Sequence, residues 1–239
     1  MCAVKVGPDS SGYYDALAPV YGQIFSTKMQ FHSAIDKRIR QNSDFSSWLN
    51  VLDVGSGDGK RIINLFQNSD CKLHSVENSI AMANILRAEP RISKVIQADF
   101  SLLEYDDFKV DYDLVLMQWN VLGHISNVPN AFNLAYKLVN KGGHFVFDFN
   151  NPLNFKHYGF RNVLKNFLKM NFSPSKRFLK FKIDHDGAVT ETHFYKVSYI
   201  AKLLERSGFR IAEITYFDYT SGEIQGPYKG QIFVDAIKD

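Results

Sequence analysis

A glycine-rich turn, three carboxylates and one histidine are the residues in this chain best placed to do chemistry. The turn lies in Val51-Leu52-Asp53-Val54-Gly55-Ser56-Gly57-Asp58-Gly59-Lys60. An apolar run from Trp48 to Val54 leads into it, and Ile62, Ile63, Leu65 and Phe66 follow at helical spacing. Strand, tight turn and helix make a nucleotide-binding βα unit. Glycine allows positive φ and close approach of a ligand to the backbone, and the free N–H groups opening the helix face an anionic part of that ligand. The spacing is Gly-x-Gly-x-Gly, with Lys60 where a dinucleotide fingerprint wants its third glycine. Asp53, Glu77 and Asp99 each end an apolar run, and the carboxyl ends of strands hold the ligand in an open parallel sheet. Glu77 follows the turn at roughly 20 residues, the spacing from which a carboxylate accepts from both hydroxyls of a ribose. Asp99 can accept from an exocyclic adenine amine while the Phe100 N–H donates to a ring nitrogen.

These residues need an alternating frame to hold them, and the sequence supplies one. Strands are expected at Trp48–Val54, Lys72–Val76, Lys94–Ala98, Tyr112–Met117 and His144–Phe149, with helices at Asp58–Gln67, Ser79–Ala88 and Pro129–Asn140. Ser79 serves as an N-cap, and Lys141-Gly142-Gly143 stops the last helix. Strands separated by helices imply βαβ units and a parallel sheet. Residues 1–45 read as a flexible tail to Gly12 and then one or two helices forming a lid, and 46–150 as the α/β core. Residues 151–195 form an inserted lobe, a helix plus a hairpin turning at Asp186-Gly187. Residues 196–239 complete the core with a helix closed by Gly208 and an antiparallel strand pair, Phe209–Phe217 and Gln231–Ile237.

The bulk properties exclude several classes. Two cysteines, Cys2 and Cys71, rule out a disulfide framework or a cysteine-built cluster. No run reaches the length of a membrane span, and the absence of a leader pattern in Met1–Ser10 points to the cytoplasm. A net charge of +3 is too small to argue for nucleic acid. The charge is uneven, however: no acidic residue falls between Asp148 and Asp184, where Lys156, Arg161, Lys165, Lys169, Lys176, Arg177, Lys180 and Lys182 lie.

With these motifs in order, the chain resembles the class I S-adenosylmethionine-dependent methyltransferases, with their Rossmann-like, mostly parallel sheet. The resemblance rests on Val-Leu-Asp-Val-Gly-Ser-Gly-Asp-Gly, Ser-Val-Glu-Asn-Ser, Gln-Ala-Asp-Phe, Tyr-Asp-Leu-Val-Leu and Lys-Gly-Gly-His-Phe-Val-Phe-Asp. The leading Tyr-Asp-x-x-Ala-x-x-Tyr and the late Leu-Leu-Glu-Arg-Ser-Gly-Phe add to it. It implies S-adenosylmethionine as cofactor and S-adenosylhomocysteine as product. Asp53, Gly55 and Gly57 would line the methionine end, Glu77 with Asn78 the ribose, and Asp99 with Phe100 the adenine. Tyr14 and Tyr21 would fold over the cofactor as a lid, and Gln118 and Trp119 would line the cleft.

A sulfonium methyl is already activated, so the protein must chiefly align acceptor and methyl and exclude water. A base helps only where the acceptor loses a proton. His124, on the loop after the fourth strand, is the candidate, ahead of His157 and His193. No ligand cluster suggests a metal. The fourth strand ends in Met117-Gln118-Trp119-Asn120, not the Asn/Asp-Pro-Pro-Tyr/Phe of enzymes that methylate base amines. A small-molecule acceptor, methylated at oxygen or nitrogen, is therefore expected. The lobe's lysines read as solvated over aromatics that pack inward. A sharper expectation has them attracting an anionic acceptor such as a nucleotide-linked sugar. Rival readings are an RNA or tRNA methyltransferase and a noncatalytic adenosyl-ligand-binding interaction protein.

Overall fold

The computed structural model describes residues 10–172, 178–185 and 187–239. The expected tail before Ser10, the cations Lys176 and Arg177, and Asp186 of the hairpin turn lie outside the described residues. Three helices precede the sheet: α1 (Ser11–Leu17), α2 (Tyr21–Ser26) and α3 (Met29–Arg40). Helix α1 begins inside the expected tail. Pro19 has no N–H to continue a helix, so the aromatic segment breaks into two short helices rather than one.

The chain then alternates β1 (Asn50–Val54), α4 (Lys60–Leu65), β2 (Lys72–Glu77), α5 (Ile80–Arg87), β3 (Ile92–Gln97) and β4 (Tyr112–Met117). After α6 (Val128–Leu138) comes β5 (Val139–Phe149). The lobe contains α7 (Phe155–Tyr158), α8 (Phe160–Phe172) and the ribbon of β6 (Phe178–His185) and β7 (Ala188–Tyr195). Helix α9 (Val197–Ser207), β8 (Arg210–Phe217), β9 (Ile224–Gln225) and β10 (Gln231–Ile237) finish the chain. Ser79 caps α5 by accepting from the Met82 N–H, and Gly208 closes α9 in the left-handed region at φ 101°.

Eight strands make one sheet in the order β3-β2-β1-β4-β5-β10-β8-β9. The first five are parallel, while β10 runs antiparallel to both β5 and β8. The strand alternation of period two sorts side chains to opposite faces. Leu52, Val115, Met117, Phe145 and Phe147 pack with α6 and α9 on one face. Val51, Leu114, Leu116 and Val146 pack with α3, α4 and α5 on the other.

Two boundaries differ from expectation for a physical reason. Lys141-Gly142-Gly143 is not a helix stop but a bulge within β5. Val139 is buried and pairs with Tyr112 before the register slips to Leu114 against His144, and the Gly142 N–H donates to the Lys238 carbonyl. Helix α4 starts at Lys60 because the turn uses Gly59 at φ 75°. The expected antiparallel pair does close the sheet, with β10 between β5 and β8 and the short β9 at the edge.

Candidate functional site

The strand order reverses between β1 and β4, and a cavity of about 260 Å³ opens there at the strands' carboxyl ends. The residues expected to hold the cofactor, with the candidate base His124, all line it: Tyr14, Tyr21, Asp53, Gly55, Gly57, Glu77, Asn78, Asp99, Phe100, Gln118, Trp119 and His124. Elements far apart in the chain therefore converge on one space.

The turn is built for close approach. Gly57 sits at φ 58°, and a Cβ there would lie 2.8 Å from Tyr21 Oη, so any side chain would displace the tyrosine. Glu77, at the end of β2, holds the turn: Oε2 accepts from the Gly57 N–H at 2.9 Å and Oε1 from the Ser79 N–H at 2.9 Å. Burial pushes its carboxyl above the usual range, against the pull of these two amides. Burial pushes the neighbouring Asp53 up to about 7, opposed by Ser56 and by the charge of Arg61. Arg61 is itself fixed by Asp36 at 2.9 Å. Asp99 caps its own turn, accepting from the Ser101 N–H and hydroxyl at 2.8 Å each.

The loop after β4 is strained. Trp119 and Asn120 both adopt φ 59°, a region that non-glycine residues rarely visit and that marks functional sites when the surroundings enforce it. Asp148, near the end of β5, enforces it: Oδ2 accepts from the Trp119 N–H at 2.7 Å and Oδ1 from the Asn120 N–H at 2.9 Å. Asn120 donates to Thr192 Oγ1 of β7 and accepts from the Asn150 N–H, each at 3.0 Å. Trp119 Nε1 donates to Tyr219 Oη at 3.0 Å. Gln118 Nε2 is buried with no partner among the described residues.

Over this floor lies an aromatic roof. Tyr14 meets Tyr21 at 6.4 Å and His124 at 5.7 Å, both edge to face, and Tyr21 tilts against Trp119 at 5.5 Å. Burial raises both tyrosine phenols well above 10, so they are neutral donors at physiological pH. Helix α1 is latched to the core by Asp15, which accepts from Ser79 Oγ at 2.6 Å and the Ala81 N–H at 2.9 Å. His124 lies in the 3₁₀ turn Val121–His124. Burial lowers its pKa to about 4, against a hydrogen bond to the Glu191 carbonyl. Its Nδ1 is buried without a partner, so the ring is neutral with a free lone pair there. The other candidates stand apart. His193 stacks on Phe178 at 4.1 Å, His157 packs edge-on to Tyr219 at 5.4 Å, and neither lines the cavity.

Sequence reading misses the roles of Asp148, Asn120, Asp15, Arg61 and Tyr219, each of which acts through a contact made only in three dimensions. The lobe also differs from expectation. Phe181 stacks on Phe194 at 4.0 Å, but Phe155, Phe160, Phe167 and Phe172 are exposed. None of Lys165, Lys169 and Arg161 lines the cavity, to which the described lobe residues contribute Ile183. No cluster of three or more metal-ligating side chains occurs among the described residues.

The donor set fits an adenosyl ligand bearing positive charge. Buried carboxylates with raised proton affinity are relieved by a cation, the glycine turn leaves room that a Cβ would fill, and Gln118 offers an unused donor. Fold and site together define a Rossmann-like methyltransferase. The chain belongs to the methyltransferase domain family, whose model matches residues 25–214, and it is an enzyme that uses S-adenosylmethionine. No curated protein matches it in sequence. Among solved structures it is similar to the CcbJ methyltransferase from Streptomyces caelestis, at 14% identity and TM-score 0.66, covering 96% of this chain and 99% of that one. An S-adenosylmethionine-dependent methyltransferase from Clostridium acetobutylicum gives 16% identity and TM-score 0.62, covering 94% and 98%. The glycopeptide N-methyltransferase MtfA complexed with S-adenosylhomocysteine gives 15% and 0.60, covering 87% and 90%. At such identities the likeness is one of fold.

Proposed function

We propose that this enzyme methylates an oxygen or nitrogen of a small molecule carrying an apolar or aromatic body, in the cytoplasm. The observation that carries this reading is the convergence of the acidic strand ends, the glycine turn and His124 on one cavity. Bound S-adenosylmethionine supplies a methyl group already activated on its sulfonium. Glu77 would hold the ribose through lone pairs not used by Gly57 and Ser79. Asp99 and the Phe100 N–H would hold the adenine, and Asp53 would face the charged methionine end. Tyr14 and Tyr21 would exclude water, and Gln118 would orient the acceptor. His124, neutral and with Nδ1 unoccupied, would take a proton from an acceptor that must lose one. Tyr13, Leu17, Ile24, Ile125 and Ile183 add apolar and aromatic surface to the lining. The described cations of the lobe do not line the cavity, so an anionic acceptor is not part of this reading.

The test is calorimetric titration of S-adenosylhomocysteine into the wild type and Glu77→Gln. Losing one charge-assisted acceptor should weaken binding about tenfold or more. A wild type that binds no S-adenosylhomocysteine would sink the assignment of these residues to the cofactor.

A further inference from the structure

Helix α8 buries the wrong side for its sequence. Its large apolar residues, Phe160, Leu164, Phe167, Leu168 and Phe172, fall at i, i+4, i+7, i+8 and i+12 and form one stripe. All five are between 46% and 79% exposed. The residues it does bury are Asn166 and Met170, and Asn166 Nδ2 donates to the Pro152 carbonyl at 2.9 Å. The helix is thus fastened to the molecule by its other face. One step around from the stripe, at i, i+4 and i+8, stand Arg161, Lys165 and Lys169, exposed and without an acidic partner among the described residues. The element has no carboxylate of its own, and none lies between Asp148 and Asp184.

We propose that α8 docks the enzyme onto a lipid surface of negative charge, lying in the headgroup plane. An exposed stripe of phenylalanine and leucine rimmed by cations is the pattern of an interfacial helix, which gains from burying its apolar face and from attraction to anionic lipid. The helix has 13 residues. At about 1.5 Å per residue it is too short to cross a bilayer, and no described helix is long and apolar enough to do so. Charge complementarity selects this occupant over a second copy of the chain. A two-fold contact sets the same patch against itself, bringing these three cations against their own copies with no carboxylate between them. Docking would also bring the β6–β7 ribbon, whose Ile183 lines the cavity, close to the lipid surface.

Sedimentation of the full-length protein with phosphatidylcholine vesicles, and with vesicles also containing phosphatidylserine, tests this. The protein should pellet with the anionic vesicles, less so as salt is raised, and stay in solution with the neutral ones. Lys165→Glu/Lys169→Glu should weaken partitioning about tenfold or more, and Phe167→Ser/Leu168→Ser should weaken it comparably. Both double variants should bind S-adenosylhomocysteine like the wild type, which verifies their folding and keeps the outcome separate from the cofactor assignment. Wild type that stays in solution with anionic vesicles overturns the proposal, as does equal binding to neutral ones. A dimer in sedimentation equilibrium that Phe167→Ser/Leu168→Ser dissociates, or retention by an acidic polypeptide without vesicle binding, overturns it and assigns the face to a protein.

Discussion

Asp53 keeps a proton up to pH about 7 in the folded, ligand-free enzyme, whereas an unfolded chain releases it near the ordinary aspartate value. Ionising it therefore costs the ligand-free protein stability as pH rises from about 4 to about 7. The ammonium of the ligand's amino-acid end prefers an ionised carboxylate beside it, so the affinity for S-adenosylhomocysteine should fall by up to about tenfold per unit as pH drops below 7. In Asp53→Asn the affinity should be lower and flat over that range. Titration between the two pH limits decides it, and a slope that survives in the variant would remove Asp53 from the site. Asp148→Asn makes a different point. One oxygen would lose its acceptor role beneath the strained Trp119–Asn120 pair, costing roughly 1–3 kcal/mol of stability, read by denaturant unfolding. An unchanged midpoint would mean that the loop holds its own shape. Asp53, Glu77 and Asp99 were legible in the sequence because strand, turn and acidic residue lie within a few positions of one another. Asp148 was legible only as the last residue of the fifth-strand motif, and its hold on the loop was not, because its partners are 28 and 29 residues away.

At the scale of elements, the proposed lid is held to the core by one carboxylate at a helix start. Asp15 meets the N-terminus of α5, where negative charge is favoured. Ser79 Oγ separately accepts from the Met82 N–H, so α5 keeps a cap without Asp15. Asp15→Ala should therefore loosen α1 and leave the core intact. We expect faster release of S-adenosylhomocysteine in stopped-flow experiments, with thermal stability nearly unchanged. Equal release rates would show that the aromatic contacts suffice to close the lid. Helix α8 shows where periodicity stops being informative. The spacing of its apolar residues gave the helix, but a period of 3.6 says only that one stripe is apolar, not that the stripe meets the core. In α6 the same kind of pattern buries Val128, Ala131, Phe132, Leu134, Ala135 and Leu138. The difference is set by neighbours, which a single helix does not encode.

For the whole molecule, the two cores share the strands between them, so they should unfold together. The two tryptophans report on different regions, Trp48 in the core beneath α3 and α4 and Trp119 at the cavity. Fluorescence of Trp119→Phe, which leaves Trp48, should melt at the same temperature as its far-ultraviolet circular dichroism. S-adenosylhomocysteine at 100 times its dissociation constant should add about 2.7 kcal/mol, raising the wild-type midpoint by roughly 5–10 °C. Separate transitions for the two probes would break the single-unit reading. The alternation of strands and helices made the parallel half of the sheet legible. The place of β10 was not, because an antiparallel strand arriving from the far end of the chain can pair on an edge or between two strands with the same alternation.

That place has a consequence during synthesis. Until residues 231–237 emerge from the ribosome, β5 has no neighbour on one side and β8 cannot join the sheet. The nascent chain therefore carries an open, strongly apolar edge, Phe145-Val146-Phe147-Asp148-Phe149, through the translation of some eighty further codons. This is the interval in which a chaperone would be needed most, and in which a stalled or shortened product would aggregate rather than fold.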